Sequence, residues 1–300
     1  MKKWIDLDAQ VQRHIDRGLQ LGTTSRRQFA LFLYSSNYYR VSGYGRCFYD
    51  AGSDTYKAGT SAGQLMDIYD HDRAVRNMVL DGIGVVEPTL RSRVAYHVAQ
   101  VLGADDGYLC EDFYLPSTPE PDGQDANALS RWSAEVRNRD LVLSSFRELR
   151  DRDEIFIRHH IQKGDPVPFW AIIEVVSMGT FSRFLRALRD KRLLLPVTKS
   201  LNLEDERKFL QAVQNLAFLR NIAAHHGRIW NRRLDGHVTL PQLALSVKRD
   251  YLAPKTPAAA LTLLAGLVDQ IEGGNSYSSS LLDLVHESDG YAIGCYKPIL

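Results

Sequence analysis

Apolar residues recur at three- and four-residue steps over most of this chain, the spacing of amphipathic helices rather than strands. The pattern predicts a helix over 6–17 that stops at Gly18, and a second over 25–36 with Ser25 as N-cap ahead of Phe29, Leu31, Phe32, Leu33 and Tyr34. The longest run, 61–102, carries Leu65, Ile68, Val75, Val79, Ile83, Val86, Leu90, Val94 and Val98, and Gly82, Gly84 and Pro88 predict a break or kink near its middle. Further helices are predicted over 126–162, 169–190, 203–226 (ended by Gly227) and 257–271. The aromatic-rich segment 37–49, punctuated by Gly43 and Gly45, predicts a turn or short irregular piece. Residues 236–240 could form at most a minor hairpin, and Gly273 and Gly274 lead into a short tail. The expected class is all-α. The expected organisation is an N-terminal helical region 1–115, an exposed Pro-rich loop 116–125, a helical region 126–250 and a terminal helix with tail 251–300, with 1–250 able to form one compact domain.

Composition narrows this picture. Three hundred residues at 44% hydrophobic suffice for a sizeable core, and a net charge of +1 excludes a generally basic nucleic-acid binder while leaving room for a local basic site. Cys47, Cys110 and Cys295 are odd in number and in no metal-ligand spacing, which fits unpaired thiols in a reducing compartment. The N-terminus has no signal-peptide core, and no run approaches the roughly 18 apolar residues of a membrane span. A soluble, cytoplasmic protein without membrane contact, metal or cofactor is expected.

Within 203–227, Phe209, Val213, Leu216, Ala217, Ala223 and Ala224 gather on one stripe, and Arg220 falls near its centre. A buried arginine needs a partner, so Arg220 is either a structural residue tied to carboxylate or carbonyls, or part of a site. Asn221 follows with both a donor and an acceptor, and His225 and His226 occupy the last turn, where a helix C-terminus favours imidazolium. Adjacent histidines point to different faces, so neither this pair nor His159–His160 predicts a metal site. Arg228, Trp230, Arg232 and Arg233 come next: arginines flanking an aromatic hold phosphate and stack a base, or form a solvated loop with an anchoring Trp.

Arg220-Asn221-x3-His225 resembles the Arg-x4–6-His motif of the HEPN superfamily. Five ordered blocks over about residues 28–235 make the chain similar to the Abi-like (Abi-D/F) abortive-infection family: NYYRVSGY from Asn37, YDHDR from Tyr69, EPTLRSRVAYH from Glu87, PFWAIIEVVSMGTFS from Pro168 and LRNIAAHH from Leu219. Pro88 departs from the family's usual helix interior. The resemblance implies a HEPN-like helical bundle with additional N-terminal helices. It also implies an anti-phage or toxin-type setting and a metal-independent endoribonuclease built from two facing copies, hence a homodimer, with a structured small RNA as a partner of some relatives.

In that chemistry the RNA's own 2′-OH attacks the neighbouring phosphate, with His225 (and His226 beside it) as acid or base, Arg220 as charge stabiliser and Asn221 orienting His225. Arg220 and His225 point about 140° apart on an ideal helix, which favours a composite site across a dimer. Arg91-x5-His97 also fits the loose motif, as a structural or RNA-contacting pair. Arg40, Arg73, Arg76, Arg91 and Arg93 are candidate phosphate contacts, whereas the tyrosines at 38–49 suit core and turn packing better. The alternative is a non-catalytic RNA-binding protein that holds or senses a structured small RNA.

Overall fold

Polar side chains that accept backbone N–H groups start most of the helices. In the computed structural model, which describes residues 4–121, 125–152, 154–234, 236–238, 240 and 253–299, Asp6 caps α1 (Leu7–Asp16) by accepting from the Ala9 N–H at 2.8 Å. Ser25 and Gln28 close a reciprocal capping box on α2 (Arg26–Ser36). Asn37, at φ 65, caps α3 (Tyr38–Gly45), and Ser61 with Gln64 closes a second capping box on α4 (Ala62–Leu102). The chain continues through α5 (Ala126–Arg150), α6 (Ile155–Lys163), α7 (Phe169–Ile172), α8 (Met178–Ala187), α9 (Leu195–Ser200) and α10 (Glu206–Ala224). It ends in α11 (Pro257–Glu272), α12 (Ser276–His286) and α13 (Asp289–Tyr296). No β-strand occurs among the described residues, so the fold is all-α.

Packing overrides local propensity in several places. The segment 37–49, expected to be irregular, forms α3 and a short 3-10 helix, because Val41, Tyr44 and Cys47 all find buried positions. α4 runs unbroken through Gly82, Gly84 and Pro88. Pro88 removes only the bond to the Gly84 carbonyl, while Ile83, Val86 and Leu90 are buried on either side of it. The helix predicted over 126–162 divides at 151–154, the one over 169–190 divides at 173–177, and α9 is an addition. The predicted tail is two further helices, α12 and α13. The hairpin suggested at 236–240 falls partly outside the described residues.

α4 is the central element. It packs against α10 and α11, and also against α3, α7, α12 and α13. α11 buries every residue from 257 to 268, as a helix that is apolar on all sides must. One cluster of buried side chains extends from Val11 to Cys295. Among the described residues no helix is long and apolar enough to cross a membrane.

The α4–α12 contact depends on Gly82. The Tyr277 hydroxyl donates to the Met78 carbonyl at 2.6 Å, and a Cβ on Gly82 would run into that ring. Gly82→Ala is therefore expected to lower unfolding free energy by about 1–3 kcal/mol, although alanine is the better helix former. Urea unfolding reads this directly, and a stabilised variant would show that the ring yields.

Candidate functional site at the end of α10

α10 is buried along Phe209, Ala212, Val213, Leu216, Leu219, Ile222 and Ala223. Its last turn opens to solvent: Asn221, His225 and His226 are exposed and Arg220 is half-buried. Arg220 lies in the apolar sector by angle, yet it sits where the helix reaches the bundle surface, so it is not the fully buried arginine the stripe predicted. Its Nη1 donates to the Asn221 Oδ1 at 3.2 Å. Asn221 thus steadies the guanidinium rather than an imidazole.

The helix ends in a Schellman turn. The Gly227 N–H donates to the Ile222 carbonyl at 2.7 Å and the His226 N–H to the Ala223 carbonyl at 3.0 Å. The left-handed residue is His226, at φ 54, and not Gly227. Gly227 is needed for space instead: a Cβ there would stand 3.2 Å from the Ile222 side chain and carbonyl. On the outside of the turn, Arg40 from α3 donates to the His226 carbonyl.

Behind the turn lies a buried carboxylate. Asp72, on α4, is 0% exposed and accepts from five donors: Arg76 one helical turn on, the Tyr44 hydroxyl at 2.5 Å, the Tyr291 hydroxyl at 2.8 Å, and the N–H groups of Ile229 (3.3 Å) and Trp230 (2.9 Å). Arg76 also donates to the Tyr44 oxygen at 3.0 Å and reaches the Gly227 carbonyl at 3.5 Å. Burial, reinforced by the Asp72 charge, pushes both tyrosine hydroxyls well up, so they remain donors. α3, α4, α13 and the strand of chain leaving α10 all meet on this one side chain. Sequence reasoning missed Asp72, although the signal was the one that singled out Arg220. Leu65, Ile68, Asp72, Val75 and Val79 step by three and four, with a charge inside the apolar stripe.

Two candidate RNA contacts are corrected by burial. Trp230 is 4% exposed, lies parallel to Tyr44 at 6.3 Å and donates through Nε1 to the Gly290 carbonyl at 3.0 Å, so no base can stack on it. Arg76 is 3% exposed and committed to Asp72, out of reach of a phosphate. Arg228 is half-buried, donates to the Cys47 Sγ at 2.8 Å and lies over the Tyr44 ring. Arg232 is half-buried and Arg233 exposed.

The remaining arginines serve other parts of the fold. Arg73 is exposed and pairs with Asp70 at 3.2 Å. Arg91 bonds Glu87 and the carbonyls of Glu174 (3.0 Å) and Val176, which clamps the link from α7 to α8. Arg93 holds Ser200 at 2.9 Å, and His97 meets Gln100 at 3.2 Å. No hydrogen bond or ion pair among the described residues joins Arg91, Arg93 or His97 to the α10 terminus. Among the described residues no three His, Cys, Asp or Glu gather in a metal-binding group.

Searches among curated proteins and among solved structures gave no match. A family model described as Abi-like protein matches residues 31–231, a span that includes Tyr44, Asp72, Arg76 and the whole α10 terminus but not Tyr291. With more than half of the chain matched in this way, the protein belongs to the Abi-like protein family.

Proposed function

We propose that this protein is an abortive-infection effector, acting in the cytoplasm, that cleaves RNA at the α10 terminus. One observation carries the reading: a helix buried along one whole face ends in a turn that presents Arg220, Asn221, His225 and His226 together on a braced end. A free-standing surface histidine would have no such support.

In the proposed reaction a ribose 2′-OH attacks the adjacent phosphorus and gives up its proton to a neutral His imidazole. The P–O5′ bond breaks and an imidazolium protonates the departing 5′-oxygen, leaving a 2′,3′-cyclic phosphate and a 5′-hydroxyl. Arg220, held by Asn221, neutralises the charge that grows on the phosphorane oxygens. The proposal takes two copies of the chain, so that acid and base come from facing α10 ends, and Arg233 with Arg232 would guide the strand toward them.

The test is cleavage of labelled RNA by purified protein in the presence of chelator. Arg220→Ala and His225→Ala are each expected to slow it by about 100-fold with the melting temperature unchanged. Wild-type rates in both variants would remove the site. Intact, co-purifying RNA that is never cut would favour the binding-only alternative.

A further inference from the structure

The backbone groups that follow His225 are not left to water. Arg40 donates to the carbonyl of His226, Arg76 reaches the carbonyl of Gly227 at 3.5 Å, and Asp72 takes the N–H groups of Ile229 and Trp230. Three side chains from α3 and α4 therefore hold four backbone groups between 226 and 230. His226 sits at φ 54, a conformation that non-glycine residues seldom adopt and that needs its surroundings to maintain it. Asp72 and Arg76 act from the buried side of this turn, whereas Arg40 acts from the solvent side and is itself half-buried.

We infer that Arg40 is a positioning residue of the α10 site: through the His226 carbonyl, and against the Asp72–Arg76 pair behind, it fixes the direction in which the His225 and His226 imidazoles leave the helix end. Only the consequence for turnover rests on the RNA-cleavage reading; the bracing does not. Arg40 grips the carbonyl of His226, the left-handed residue itself, so loss of its bond frees the exposed flank of the turn. Reacting groups tolerate little looseness, since a displacement of about 1 Å can cost up to a hundredfold in rate.

Arg40→Met keeps much of the aliphatic stem and removes the donor, and Arg40→Lys restores a donor. Steady-state RNA cleavage is expected to show kcat about tenfold lower in Arg40→Met, with KM within about twofold, and most of the loss recovered in Arg40→Lys. Spectra of histidine-labelled protein should show the His225 and His226 ring signals shifted and narrowed in Arg40→Met, while buried His14 stays in place. A raised KM at unchanged kcat would make Arg40 a phosphate contact and overturn the proposal. Unmoved ring signals would overturn it as well. Should the wild-type protein leave RNA intact, the cleavage reading falls and the ring signals alone decide the positioning role.

Discussion

Asp72→Ala is expected to destabilise the fold by about 3–5 kcal/mol, the range found when one partner of a buried ion pair is removed. The substitution strands the Arg76 guanidinium, which is 3% exposed, and deprives two buried tyrosine hydroxyls and two backbone N–H groups of their acceptor. None of the five donors can turn to water without opening the packing between α3, α4 and α13. Chemical denaturation measures the loss. Asp72→Asn, which keeps the shape and an acceptor but not the charge, should lose about 1–3 kcal/mol. The double variant Asp72→Leu/Arg76→Met should recover more than half of what Asp72→Leu alone loses, because no unpaired charge is left behind. A loss below about 1 kcal/mol in Asp72→Ala would mean that water reaches the hub.

Lowering the pH from about 6.5 to about 4 is expected to cost the fold about 3 kcal/mol through His14 alone. Burial, helped by the nearby Arg17 charge, brings the His14 pKa down to about 4. The ring is 0% exposed, its Nδ1 meets the Tyr56 hydroxyl at 2.7 Å, and its Nε2 has no partner among the described residues. Protonation would thus bury a cation with one N–H unsatisfied. The sign follows from proton counts: between these two pH values the unfolded chain holds the proton and the folded one does not, so stability falls as pH falls. Above about 6.5 both states are neutral and His14 contributes no pH dependence. Other groups titrate in the same window, so the measurement is the difference between wild type and His14→Phe at pH 7.5, 5.5 and 4.5. That gap should narrow or reverse by about 2–3 kcal/mol on acidification. A gap that stays constant with pH would show that His14 is already solvated.

The elements and the buried hub differ in how far the sequence announces them. Most helix starts were legible, because Asp6, Ser25, Ser61, Asp125 and Thr256 act locally within a few residues of the apolar runs they cap. The candidate residues at the end of α10 are legible too, as four polar residues closing a helix with an apolar face. The hub was not: its donors lie 4 to 219 residues from Asp72, and no local pattern links them. Segment 37–49 misled for a related reason. Its glycines read as turn residues, but a Cβ on Gly45 would collide with the Tyr56 hydroxyl, so that glycine, the last residue of α3, makes room for the ring where the chain runs straight on into a 3-10 helix. Trp230 misled because arginines on both sides suggested a surface, whereas Tyr44, Phe48 and the Gly290 carbonyl enclose it. α12 and α13 are hidden in a serine- and glycine-rich stretch in which Leu281, Val285 and Tyr291 are buried while Ile293 is exposed, so no continuous apolar stripe marks the pair.

Tyr291 has a bearing on timing as well as on stability. It is made 219 residues after the aspartate it bonds, so during synthesis Asp72 and Arg76 leave the ribosome long before the last donor of the cluster exists. Through that interval the turn beyond His225 lacks its completed support. A nascent or prematurely terminated polypeptide that lacks α13 therefore holds this turn with four of Asp72's five donors, and the brace is completed only when the last helix folds onto α4.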